Sequence, residues 1–330
     1  MDAKPVTEPY CVRRGAVLCL LAFAMAGCST TDYSDPVNDF AAATANAKTA
    51  LSDLNTQVTD AYRGVLDEAI LKGDVLLKPR RGECLTSSER CQLVIVDMSG
   101  TELEPYPPQP PLTRMTGLMS EIDRYAANLK ALLEADTAQK VETQVNAALG
   151  SVQNLATTVS KLQAEEGAPP AEVPQFATPT GEAVNWVLGK YIERVKYRGL
   201  QRATAAAKPV IRDAADLFTT TSAIIADVPN NTLAQEVTTG QTAMLTNRSQ
   251  NAITSLAQSA ARYDALLTAG PSTVFERMGD AHDALADSLN DESFNLATAI
   301  ARIEAFAAEA EQLAKILREL RAIVPENQEG

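Results

Sequence analysis

The sequence predicts an all-α fold: an elongated antiparallel helix bundle with coiled-coil-like seams and one small β-hairpin excursion. Three observations predict it. The chain is rich in alanine, leucine, threonine, glutamine and glutamate, and only 5% of its 330 residues are aromatic. That composition favours helices that approach closely over a wide globular core. Apolar residues recur at steps of three, four or seven through most of the chain. One segment, DVLLKPRRGECLTSSERCQLVIVD, departs from that period and sets an apolar run on each side of a polar turn.

The first element is RRGAVLCLLAFAMAGCST. Arg13 and Arg14 precede an apolar run from Ala16 to Ala26, about half the ~20 residues that a helix needs to cross a bilayer core. A basic flank, a short apolar run and then small residues make up a secretory leader. Met25-Ala26-Gly27-Cys28 resembles the lipobox of bacterial lipoproteins, and the resemblance covers residues 13–28 only. It implies a signal peptide over 1–27 that is removed, and a diacylglyceryl group on the Cys28 thiol. With serine rather than aspartate at position 29, it implies the periplasmic face of the outer membrane of a Gram-negative bacterium. An N-terminal anchor helix that contains cysteine is the alternative. Residues 1–11 are foreign to such a leader and predict a true start at Val12.

Removal of the leader takes away Cys11 and Cys19, and Cys28 is acylated. Cys84 and Cys91 then remain as a pair in an oxidising compartment. A disulfide between them makes the excursion a stapled hairpin and contributes roughly 2–3 kcal/mol by restricting the unfolded chain. A metal site is the rival reading, disfavoured because the only histidine, His282, is far away in sequence. The net charge of −13 excludes a general nucleic-acid binder, which needs a basic footprint.

Residues 28–38 are polar and hold Pro36, which predicts a lipidated tether; the bundle domain then covers 39–330. A first helix runs from Asp39 to Lys72 on a seam of Phe40, Ala47, Leu51, Leu54, Val58, Tyr62, Val65 and Ala69, and Gly73-Asp74 stops it. The two-stranded hairpin excursion occupies 74–97. Five prolines between Glu104 and Leu112 predict an extended polyproline linker over 104–111. It spaces the hairpin from the next helix; docking to a proline-reading domain is the alternative.

From Leu112 to Gln163 two heptad seams follow one another. The first is Leu118, Ile122, Tyr125, Leu129 and Leu132, and the second is Val141, Val145, Ala148, Val152, Leu155, Val159 and Leu162. The stretch EADTAQK between them is either a break or a skipped register. A second proline-rich linker covers 166–180. The third helix runs from Thr180 to Val228, where Pro209 should kink or break it. VPNNT ends it, and Thr232 with Gln235 resembles a capping box that starts a fourth helix to Leu267. TAGPS turns the chain. The last helix runs from Ser272 to Val324, bent at Gly279, on a seam through Leu296, Ile300, Ile303, Ala307, Ala310, Leu313 and Leu317.

Few residues suggest chemistry. The sequence has no GxSxG, P-loop, GxGxxG or HExxH spacing. His282 lies among aspartates, which predicts a raised pKa and a charged ring. No catalytic residue, cofactor or metal site is expected. Asp280, Asp283, Asp287 and Asp291 form an acidic stripe, read as a solvated face ahead of a weak divalent-cation surface. Lys190, Arg194, Arg198 and Arg202 form a basic stripe, with Lys196 beside it. Three readings of that stripe stay open: pairing with the acidic one, binding an anion such as a lipid head group, or simple solvation. Trp186 and Tyr191 are candidate interface anchors, with burial in the core as the other reading. The expected protein is a lipid-anchored adaptor or structural component with an envelope protein partner. A helical lipid carrier or membrane-active protein is the first alternative, and an enzyme the second.

Overall fold

The first helix begins earlier than its seam predicts. In a computed structural model that describes residues 30–79, 93–106, 112–165, 188–246, 249–291 and 293–323, a 3-10 turn at Thr30–Tyr33 leads directly into α1, Ser34–Lys72. Pro36 falls in the first turn, where a missing N–H costs nothing because it would have no partner inside the helix. Thr30, Tyr33 and Val37 are buried. The tether expected over 28–38 is therefore corrected: from Thr30 onward this stretch is part of the fold. Gly73, with φ 78°, ends α1 in the left-handed conformation.

The excursion is a sheet of three strands rather than a two-stranded hairpin. β1 (Val75–Pro79), β2 (Leu93–Asp97) and β3 (Glu102–Tyr106) pair antiparallel in that order. β3 takes up part of the stretch predicted to be a polyproline linker. A tight turn makes this possible: Gly100 adopts φ 85° and its N–H donates to the Asp97 carbonyl at 2.9 Å. Pro105 is tolerated because β3 is an edge strand. The Tyr106 hydroxyl donates to Asp67 at 3.2 Å, and Tyr62 donates to Glu104, which docks the sheet on the end of α1. Cys84 and Cys91 lie outside the described residues.

EADTAQK is a break. α2 (Thr113–Glu134) and α3 (Ala138–Glu165) form an antiparallel hairpin, with Ala135 extended and the Thr137 hydroxyl accepting from the Lys140 N–H at 3.2 Å. Both predicted seams are buried along their whole length.

α4 (Leu188–Thr246) is one helix of 59 residues where two were expected, roughly 88 Å along its path. Pro209 sits inside it. Burial of Val210, Ile211 and Ala214 just beyond the proline holds the helix together across the lost hydrogen bond. α5 (Gln250–Ala269) starts at Ser249, whose hydroxyl accepts from the Ala252 N–H at 3.2 Å. α6 (Pro271–Asn290) follows after Gly270, with proline at the position that suits it best. α7 (Leu296–Ile323) completes the chain. The break in the last helix therefore falls at 291–295, where Asp291 accepts from Ser293 and Asn295 from Ala297. It does not fall at Gly279, which lies inside α6 against Ala215.

Pairs of contacts give the directions. Asp123 meets Lys48 and Leu112 meets Asn55, so α2 runs against α1. Phe306 meets Phe40 and Leu317 meets Gln57, so α7 runs parallel to α1. Lys196 meets Leu133 and Ala203 meets Tyr125, so α4 runs against α2 and therefore along α3. Phe275 stacks on Phe218 and Asp287 meets Lys208, so α6 runs against α4. Leu256 meets Gly240, so α5 runs against α4 as well. TAGPS thus joins two helices that both descend beside α4 and does not reverse the chain. The bundle is mixed, not purely antiparallel: α7 runs along α1 and α4 runs along α3.

Candidate functional site

Three groups of polar side chains stand out. The first is in the core. His282 is completely buried between Phe40 and Tyr125, with ring centroids 5.7 and 5.6 Å away. The Tyr125 hydroxyl lies 2.9 Å from its Nε2 and 3.5 Å from the Ala203 carbonyl oxygen. Burial pushes the imidazole pKa down to about 3, helped by the positive charges of Lys208 and Arg212. The charged ring expected from the neighbouring aspartates is overturned. Those aspartates are taken up by cations, and His282 faces the opposite way, into the apolar interior.

The second group is the acidic stripe on α6. Asp280, Asp283 and Asp287 are paired with Lys208 and Arg212, while Asp291 accepts from Ser293 just past the helix. Lys208 donates to Asp287 at 2.6 Å, and Arg212 donates to Asp280 at 3.0 Å and to Asp283. The register is set by apolar packing, the Phe218–Phe275 stack and the approach of Gly279 to Ala215. In that register Gln201 already reaches the Leu289 carbonyl at the end of α6, so Arg194 and Arg198 lie beyond Asp280, Asp283 and Asp287. Arg194, Arg198 and Arg202 are exposed. Lys190 and Tyr191 lie on the first turn of α4, with only the backbone described, and Trp186 and Cys28 lie outside the described residues. Lys208 and Arg212 were legible as partners, since their step of four matches that of Asp283 and Asp287.

The third group closes one end of the bundle. Thr30 donates to Glu193, and Lys196 donates to Glu193 at 3.1 Å and to the Leu133 carbonyl at 2.8 Å. Lys196 is only 8% exposed. Its ammonium caps the negative end of α2. Burial pushes the Glu193 carboxyl up, but the bonds from Thr30 and Lys196 outweigh it and hold its pKa below the ordinary value. Tyr33 donates to the Ser288 carbonyl at 2.6 Å, while Tyr197 and Gln201 both donate to the Leu289 carbonyl, at 3.1 and 2.6 Å. The chain entry, the α2–α3 turn, the start of α4 and the end of α6 are thereby locked together. Sequence reasoning missed this cluster because its members are distant in sequence and share no period.

At the other end of α1 the apolar side chains of Leu71, Met98 and Leu103 are exposed around the sheet, among exposed Lys72, Lys78 and Glu102. No described helix is long and apolar enough to cross a membrane, and the described residues contain no group of three metal-binding side chains. No family model matches the chain, and neither a curated protein nor a solved structure is similar to it.

Proposed function

We propose that the protein is a lipid-anchored periplasmic component of the cell envelope, held by Cys28 at the inner face of the outer membrane, and that it acts as an adaptor or structural element rather than an enzyme. The observation that carries this reading is the lipobox-type sequence ending at Cys28, with Thr30, two residues on, already buried in the bundle. A chain that is packed into the bundle by Thr30 suits cleavage just before Cys28. The interior polar groups support a structural role, because His282 is sealed against Tyr125 and the α6 aspartates are neutralised by Lys208 and Arg212.

The disulfide between Cys84 and Cys91 belongs to the same reading. β1 and β2 pair up to Pro79 and Leu93, and Cys84 and Cys91 lie between those two residues in the sequence. An oxidising compartment would staple it. The partner is an envelope protein. The apolar residues around the sheet, and Trp186 with Tyr191, are the candidate contact positions.

The test is mass spectrometry of the N-terminal peptide from membranes of cells producing the full chain, with in-cell crosslinking on the same sample. An acylated Cys28 peptide and one stoichiometric envelope partner are expected. An unprocessed leader would overturn the anchor reading, and recovery of the acylated protein with lipid alone would overturn the adaptor reading. A non-reducing peptide map that shows Cys84 and Cys91 as free thiols would remove the staple.

A further inference from the structure

Resting on the reading of Cys28 as the acylated residue, we propose that the bundle stands end-on on the phospholipid surface, with its closed end against the head groups. Only Ser29 separates Cys28 from Thr30, and two residues of chain span at most about 7 Å. Thr30 is buried and bonded to Glu193, and Tyr33 is buried and bonded to Ser288. The acyl chains must enter the leaflet, so the end that holds Thr30 is carried to the membrane surface with it.

This end is broad. The α2–α3 turn, the first turns of α4 and the α6–α7 connection all reach it, through Lys196 to Leu133 and through Tyr197 and Gln201 to Leu289. Arg194 and Arg198 are exposed on the first turns of α4. Their apolar stems and basic tips suit a surface of phosphate groups. Exposed Asp32 and Asp35 share the end, so the short tether, more than charge, sets the stance. Lying flat would press an acidic chain against anionic lipid, which is repulsive.

The stance has a consequence for reach. α4 leaves the closed end at Glu193 and continues to Thr246, a rise of roughly 80 Å. The turn between α4 and α5, flanked by exposed Leu245 and Ile253, is therefore held far from the leaflet.

The experiment is neutron reflectometry of the acylated full chain in a supported bilayer of phosphatidylethanolamine and phosphatidylglycerol. A protein layer of roughly 80 Å is expected, against roughly 30 Å for a bundle on its side. A glycine-serine insertion between Ser29 and Thr30 should thin or blur that layer while leaving the protein folded and bound. A thin layer from protein whose Cys28 is shown by mass spectrometry to be acylated overturns the stance and leaves the anchor reading intact. Protein whose Cys28 carries no lipid overturns both.

Discussion

The Tyr125 hydroxyl and the His282 imidazole form a polar pair 2.9 Å apart at the centre of an apolar bundle. The imidazole Nδ1 has no partner. If Nε2 carries the proton, it donates to the Tyr125 oxygen, and the hydroxyl proton goes on to the Ala203 carbonyl. Nδ1 is then an unused acceptor. The opposite tautomer would leave a buried N–H without a partner, which is rarer and costlier. The hydrogen-bond network thus assigns the proton to Nε2.

A neutral buried histidine makes the fold sensitive to acid. Its pKa is about 3 in the folded chain against an ordinary value of 6.5. Below pH 6.5 the unfolded chain binds a proton that the folded chain refuses. The stabilisation is therefore complete above pH 6.5 and falls by about 1.4 kcal/mol per pH unit as the pH drops toward 3. Glu193, with its lowered pKa, adds a loss of the same sign at the acid end. Urea unfolding at pH 7 and pH 4 should show the drop, and His282→Leu should flatten it; equal slopes for the two proteins would show that another group is responsible.

Tyr125→Phe should destabilise the fold by about 1–3 kcal/mol, because it strands the imidazole N–H in the core. The double variant Tyr125→Phe with His282→Leu should lose less than the sum of the two single changes. Chemical denaturation of the four proteins measures this; strict additivity would mean that the pair does not interact.

The charged stripes should behave unequally. Arg212→Ala leaves Asp280 and Asp283 without their cation, and one Asp283 oxygen is already buried without a partner. A loss of about 1–2 kcal/mol is expected. Arg194→Ala and Arg198→Ala change exposed residues and should stay within about 0.5 kcal/mol. Melting temperatures of the three variants rank them, and a large loss at Arg194 would restore the pairing that the sequence suggested.

Two glycines should respond in opposite directions to alanine. At Gly199 an added methyl would come within 2.5 Å of a Val145 methyl and 3.2 Å of Leu132, where three helices meet. Valine has little freedom to turn away, so a loss of about 1–3 kcal/mol is expected despite the better helix propensity. Gly150 has nothing within 4 Å of that position, and alanine there should stabilise α3 by roughly 0.5–1 kcal/mol. Thermal unfolding of both variants checks the sign of each.

By itself the sequence determined the helical class and the seams. Each heptad position from Leu118 to Leu132 and from Val141 to Leu162 is buried, because apolar period is a local property that packing only has to satisfy. Gly73 as the end of α1 was legible for the same reason. Tertiary structure decided what local signals could not. Proline at 209 did not stop α4, since burial of its flanks outweighs one lost hydrogen bond. The tether-like residues 30–38 folded because Tyr33 and Val37 found a pocket among helices far away in sequence. The cations for the α6 aspartates were chosen by helix register, which depends on how Phe218 stacks on Phe275 and how closely Gly279 lets α4 approach. The state of His282 was decided by which face of α6 turns inward: the same residue that reads as charged among aspartates is neutral once desolvation exceeds what those neighbours can offset.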